Sequence, residues 1–216
     1  AQVCPAVEAS QQGDLSALYR IKGLKEILKG RRGIVSRLFG KGRRIEDKVK
    51  EISPTVFRCT LCGNCQEVCP VGIRLKDIWL SMRQDLVHSE AYPKKIDMIR
   101  ENLLESRNVF GEDNEDRCEW VEDLDEPPED GYVRDHAEVV YFTGCVASYF
   151  PLAQKIPMAL VKVLEVSSVD FTLLGEDEWC CGFPMLGAGL KDMFDEFMRH
   201  NLEVVRKKGA ERVIFA

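Results

Sequence analysis

The 216 residues are 45% hydrophobic and 31% charged and carry a net charge of −6 at pH 7. This is the make-up of a water-soluble chain with one large domain or two small ones, and it excludes bulk nucleic-acid binding. No uninterrupted apolar run approaches the ~20 residues that a membrane-spanning helix needs. The best candidate, Val139 to Phe150, is broken by Thr143, Gly144 and Ser148.

Nine cysteines are an odd number, and two of them, Cys180 and Cys181, are adjacent. Clustering of this kind suits metal ligation in a reducing, cytoplasmic setting better than a disulfide framework. Charge is segregated. Arg20 to Lys50 holds twelve Lys and Arg against three acids, and Glu112 to Glu138 holds thirteen Asp and Glu against two arginines. Two solvated faces account for this. The sharper alternative is a basic stretch that docks on an acidic partner or an anionic membrane surface.

In chain order, Cys4 comes first and is followed at once by Pro5. Leu15 to Leu28 has helical spacing, with Asp14 as N-cap and Gly30 as stop. Ile34–Phe39 and Ile45–Ile52 read as short basic helices, the second ended by Ser53-Pro54. After a cysteine-rich loop, Ile73 to Val87 and Ile96 to Leu104 are again periodic. Residues 1–105 are therefore predicted to be all-helical. Residues 106–136 are acidic, contain Pro127-Pro128, and read as a linker or an extended wrap.

Beyond residue 137 the period changes. Glu138–Phe142, Val169–Leu173 and Arg212–Phe215 read as strands. Leu152–Val166, with a kink at Pro157, and Leu186–Lys208, stopped by Gly209, read as the helices between them. Alternation of this kind predicts an α/β layer with a parallel sheet, whose sites gather at the carboxyl ends of the strands. The chain as a whole is predicted to be an α-helical part followed by an α/β part.

Cys59, Cys62, Cys65 and Cys69 have the spacing C-x2-C-x2-C-x3-C and are followed by Pro70. This is the bacterial ferredoxin pattern for a [4Fe–4S] cubane. Structural zinc, which prefers separated cysteine pairs or cysteine with histidine, is the alternative. In two-cluster proteins the cysteine before proline ligates the other cluster. By that rule Ala1-Gln2-Val3-Cys4-Pro5 reads as the end of a first run that begins before residue 1. Cys4 then completes the set Cys59, Cys62, Cys65, and Cys69 serves a second cubane.

A second group lies on the strand-end loops: Gly144-Cys145, then, after 34 residues, Cys180-Cys181-Gly182. Cys118 stands alone and reads as a free thiol. His88, His136 and His200 are scattered and fit no ligand or triad spacing. Trp179, beside Cys180, reads as packing or as a shield over a metal site.

On these motifs the chain resembles the D-type subunit of heterodisulfide reductase and its relatives. These include iron–sulfur subunits of glycolate, lactate and glycerol-3-phosphate oxidising systems. Residues 1–105 resemble the helical ferredoxin domain of the family and residues 137–216 the first part of its cysteine-rich "CCG" domain. The resemblance implies a further C-x-x-C after residue 216, with Cys145, Cys180 and Cys181 as the first three positions of the motif. It also implies that [4Fe–4S] cubanes relay single electrons to these three cysteines, the catalytic candidates, which with further ligands can hold a non-cubane cluster for two-electron disulfide or thiol chemistry. In the alternative, the chain only relays electrons and the chemistry resides on a flavoprotein partner. A zinc-stabilised interaction module is a third reading. The expected partners are a flavoprotein, a ferredoxin or a membrane cytochrome subunit. The expected location is the cytoplasm or, through a partner, the inner face of the membrane.

Overall fold

The computed structural model describes residues 3–31 and 41–216. The basic helix expected over Ile34–Phe39 lies outside the described residues. The chain divides into two compact units: Ala1–Ile96 with Met185–Lys191, and Asp97–Pro184 with Asp192–Ala216. Among the described residues no helix is long and apolar enough to cross a membrane.

The first unit is helical. Its elements are α1 (Pro5–Ser10), a 3-10 turn (Gly13–Leu15), α2 (Ala17–Arg31), α3 (Lys41–Phe57), α4 (Asn64–Glu67) and α5 (Leu75–His88). Pro5 opens α1, where its missing N–H costs nothing and its fixed φ favours the first turn. Along α5, Leu75, Trp79, Met82 and Leu86 recur every three or four residues and form one buried stripe. They pack on Ile52 and Val56 of α3 to form the core of the unit. Helix α2 runs to Arg31, past the Gly30 expected to stop it.

The sequence places the end of α3 at Ser53-Pro54, but the helix continues to Phe57. The lost N–H of Pro54 is outweighed by packing, since Ile52 and Val56 flank it and are 1% and 0% exposed. Side chains also hold the last turn. Thr55 Oγ1 donates to Ile52 O at 2.8 Å, and Ser53 Oγ donates to the Ala91 carbonyl at 2.5 Å. Two arginines take the terminal carbonyls: Arg20 Nε donates to Thr55 O at 2.9 Å and Arg83 Nε to Val56 O at 3.2 Å.

Helix α6 (Lys95–Ser106) leads into the second unit, which holds a 3-10 helix (Glu115–Val121), β1 (Val139–Phe142), α7 (Cys145–Tyr149), α8 (Lys155–Val166) and β2 (Phe171–Thr172). Helices α9 (Phe183–Ala188) and α10 (Lys191–Lys207) and strand β3 (Arg212–Phe215) follow, with the end of α9 and the turn after it counting with the first unit. The three strands are parallel, in the order β2-β1-β3. Val139 pairs with Phe171 and Arg212, and Val140 with Thr172 and Val213. The expected fold class therefore holds: helices first, then an α/β layer.

β1 is the central strand and is buried at all four positions. This continuous apolar run is what a parallel strand covered on both faces requires. Val139 and Tyr141 point to one side, into a cluster with Val161, Leu164, Phe171 and Leu173. Val140 and Phe142 point to the other, against Leu174 and Val204. The acidic stretch read as a linker or wrap adds Trp120, Val121, Leu124 and Tyr132 to the first of these clusters. Its carboxylates face water while its few apolar residues form part of the core.

The helix expected over Leu152–Val166 is α8, which starts at Lys155 and ends at Val166 as expected; the short helix α7 precedes it. Pro157, expected as a kink, is the third residue of α8, where the N–H has no intrahelical partner to lose. The helix expected over Leu186–Lys208 is split between the end of α9 and α10.

Candidate metal centres

The first site is built by the loop that leaves α3. Leu61 and Gly63 have positive φ and turn the chain tightly between the cysteines. The Gly63 carbonyl then accepts from Gln66 N at 2.7 Å and starts α4. Cys59, Cys62 and Cys65 are thereby aimed at one cleft, which Cys4, Arg20 and Trp79 also line. Cys4 precedes α1, and its carbonyl accepts from Val7 N and Glu8 N at 3.1 and 3.0 Å, which fixes its backbone. Asn64 Nδ2 donates to Val3 O at 3.4 Å and ties the N-terminal turn to the cysteine loop. The cysteines facing the cleft are thus Cys4, Cys59, Cys62 and Cys65.

Cys69 is not among the residues lining this cleft. Its Sγ accepts from Ile73 N at 3.4 Å. The N–H groups of Ile73, Val71 and Gly72 hold its thiol below the ordinary range. It does not share the cleft of the other four.

Two observations bear on what the cleft accepts. Among the described residues, no three His, Cys, Asp or Glu side chains converge on a single ion-sized point. Four thiols line one cleft, the number of ligands that a [4Fe–4S] cubane takes. Trp79, on the same cleft, has a buried indole N–H with no partner among the described residues. A buried donor of this kind wants an acceptor, and cluster sulfur is one.

The second site lies at the carboxyl ends of β1 and β2. Gly144, between β1 and Cys145, adopts φ 77° and ψ 157°, a conformation essentially reserved for glycine. It releases Cys145 into the first turn of α7. Gly182 has φ +85°, and a Cβ there would stand 2.6 Å from the Phe194 ring. The Gly of Cys-Cys-Gly is therefore required by both conformation and space.

The three thiols form a chain of contacts in which Cys180 hydrogen-bonds to both Cys145 and Cys181. The single Cys180 proton, shared with its two neighbours, favours the thiolate at Cys145 and at Cys181, whose thiols are pushed down to about 6, and its own is pushed up. The positive charge of Arg117 and the Val109 N–H also favour the Cys145 thiolate, and the Phe183 N–H favours that of Cys181. Cys145 and Cys180 are buried, while Cys181 reaches the surface.

Behind Cys145 stands a polar network that the sequence reading missed. Arg117 and Glu178 form an ion pair at 2.9 Å, with both side chains 1% exposed. Glu178 also accepts from Thr143 N and Gly144 N at 2.9 and 2.8 Å. Arg117 Nη2 lies 3.9 Å from Cys145 Sγ and 3.0 Å from Asn114 Oδ1. Complete burial pushes the Glu178 carboxyl up to about 7, against the pull of Arg117 and the two backbone donors. A signal was available, since Arg117 is one of two arginines in an otherwise acidic stretch and Glu178 stands two residues before Cys180.

Trp179 stacks on His200, with ring centroids 3.7 Å apart, and the Arg107 guanidinium lies 4.5 Å from the centre of the Trp179 ring. Cys118 packs against the core of the unit, and burial pushes its thiol up to about 12. Native protein at pH 8 is expected to leave Cys118 unmodified by iodoacetamide, and unfolded protein to label it fully. Peptide mass mapping checks this; labelling of Cys118 at the unfolded rate would contradict its burial.

Residues 139–216 match the CCG cysteine-rich domain family. Residues 1–73 match the 4Fe-4S dicluster domain family. Over 99% of its length the chain is 35% identical to the D-type subunit of the dihydromethanophenazine:CoB–CoM heterodisulfide reductase of Methanosarcina mazei, covering 51% of that protein. It is 28% identical over 75% of its length to the EtfAB:quinone oxidoreductase of Syntrophomonas wolfei, covering 23% of it. It is 32% identical over 74% of its length to a probable membrane-anchored ferredoxin of Chromohalobacter salexigens, covering 24% of it. The chain spans about half the length of the curated heterodisulfide reductase relatives it matches. No solved structure matches it.

Proposed function

We propose, for a chain that belongs to the CCG-domain iron–sulfur proteins related to heterodisulfide reductase, that it forms part of an oxidoreductase subunit that carries electrons to a disulfide or thiol. The observation that carries this reading is the contact chain Cys145–Cys180–Cys181 beside a buried arginine. Three thiols, two of them biased towards thiolate, form a site for sulfur chemistry or for a cluster that performs it.

Cys4, Cys59, Cys62 and Cys65 would hold one [4Fe–4S] cubane, and Cys69 would be a ligand of another. A bound cubane supplies one electron at a time. Around it, Trp79 and the apolar core of the unit exclude water, and α1 and α4 fix the thiols. At the second site, Arg117 holds negative charge on Cys145, Glu178 holds Arg117, and the two special glycines set the turns. The cubane site falls to residues 1–105 and the disulfide site to 137–216, with Arg117 supplied from the intervening 106–136. Partners would bring the electrons: a flavoprotein, a ferredoxin or a membrane cytochrome subunit, the last placing the complex at the inner face of the membrane.

The similarity to an EtfAB:quinone oxidoreductase favours a second reading, in which the subunit only relays electrons and the chemistry lies elsewhere. EPR of the full-length protein with and without the CoB–CoM heterodisulfide separates the two. A paramagnetic species that forms only with the disulfide is expected. Signals from reduced cubanes alone, unchanged by the disulfide, would leave the relay reading standing.

A further inference from the structure

The first unit buries two arginines that have no carboxylate counterpart among the described residues. Arg20 is 1% exposed and lines the cleft that holds Cys4, Cys59, Cys62 and Cys65. Its Nε donates to Thr55 O at 2.9 Å and its Nη2 to Leu15 O at 2.7 Å. Cys4 Sγ lies 3.7 Å from the same Leu15 oxygen, so guanidinium and thiol meet at one atom. Arg83 is 6% exposed. It donates to the carbonyls of Val56, Phe57 and Cys59, and through its other terminal nitrogen to Gly187. The two guanidinium groups cap neighbouring carbonyls of α3, Thr55 and Val56, and Arg83 also takes the Cys59 carbonyl.

Among the described residues, both arginines bond only to carbonyl oxygens and neither pairs with a carboxylate. A buried cation is normally paired, because removing it from water costs several kcal/mol. The third buried arginine among the described residues, Arg117, obeys the rule through Glu178. The Trp79 ring, 5.5 Å from the Arg20 guanidinium, offsets only a small part of the cost. Two like charges on the adjacent carbonyls of Thr55 and Val56 add to that cost unless something negative balances them. The cysteines around the cleft are the candidates, and a cluster bound by four thiolates carries net negative charge.

We infer that Arg20 and Arg83 are the fixed positive charge of the cubane site, and that Arg20 in particular sets the reduction potential of the cluster there. The inference rests on the reading that Cys4, Cys59, Cys62 and Cys65 hold a cubane. Reduction adds an electron to an already negative cluster. A fixed cation at the edge of the cleft stabilises the reduced form more than the oxidised one and so raises the potential. Arg20 acts through its charge and through the Leu15 and Thr55 carbonyls; it is a positioning residue and not a ligand.

The test is an EPR-monitored redox titration of the full-length protein, comparing wild type with Arg20→Lys, Arg20→Gln and Arg20→Met, and with iron content measured on each. The neutral variants are expected to show the same cubane signal at a lower midpoint. A tenfold fall in the reduced-to-oxidised ratio at fixed potential corresponds to about 59 mV for one electron. Arg20→Lys keeps the charge and is expected to stay near the wild-type midpoint. If the neutral variants bind no iron while Arg20→Lys does, the cluster needs the cation even to form, which supports the inference. It is overturned if the neutral variants titrate like wild type, if Arg20→Lys falls as far as Arg20→Met, or if all three variants lose iron, since Arg20 would then be scaffold only. Absence of a cubane signal in the wild type that depends on Cys4 is a separate failure, of the ligand assignment itself.

Discussion

Replacing Cys4 by serine in the full-length protein is expected to abolish or strongly perturb the cubane held by Cys59, Cys62 and Cys65, while Cys69→Ser leaves that cubane intact and removes a different one. Proximity along the chain alone would pair Cys69 with Cys65, four residues away, but the two-cluster rule read from the sequence pairs Cys4, fifty-five residues before Cys59, with the set. The geometry supports Cys4, which shares the cleft that Cys69 does not line. The turn that carries Cys4 is fixed by two hydrogen bonds to its own carbonyl and is tied to the cysteine loop through Asn64. Cys69 sits among backbone N–H donors in a turn of its own. Iron analysis and low-temperature EPR of the two reduced variants give the readout. Each should lose one signal, and the two lost signals should differ. Loss of the same signal in both variants, or retention of all signals in Cys4→Ser, would sink the crossed assignment.

What could be read from the sequence was whatever is local in the chain. Ligand spacing is a property of one tight loop, so Cys59, Cys62, Cys65 and Cys69 stood out as a set. The Cys-Cys-Gly turn stood out for the same reason, and its glycine has both the positive φ and the close neighbour that explain it. The strands were legible because β1 is buried on both faces and reads as an unbroken apolar run. The miss at Pro54 came from treating a helix breaker as decisive, when Ile52 and Val56 on either side were the stronger term.

The acidic stretch is the more instructive case. Thirteen carboxylates suggested solvent, yet Trp120 and Leu124 are four apart, with Val121 between them, and all three are buried. Their spacing was visible beneath the charge. The buried arginines were not legible, because an arginine in a sequence is normally a surface residue. Only tertiary structure shows that Arg20, Arg83 and Arg117 are inside, and that two of them have no carboxylate partner among the described residues.

The largest effect on stability is expected at Glu178. Removing the carboxylate in Glu178→Ala leaves Arg117 charged and buried without its carboxylate partner, and it strips the acceptor from Thr143 N and Gly144 N. Breaking one side of a buried pair costs about 3–5 kcal/mol, a large share of the roughly 5–15 kcal/mol that holds a domain together. Hydrogen exchange of the full-length protein reads this locally. The amides of Val140 and Tyr141 in β1 are expected to exchange about a hundred- to several-thousand-fold faster, since each 1.4 kcal/mol is a factor of ten. The double replacement Arg117→Met with Glu178→Leu removes both charges, and it should recover most of that protection because well-packed apolar pairs often match or exceed a buried ion pair. It cannot recover the cation beside Cys145, 3.9 Å away in the native protein. A double variant that is stable but has lost the disulfide-dependent EPR species would assign the ion pair to function. If it retains that species in full, the pair serves the fold alone.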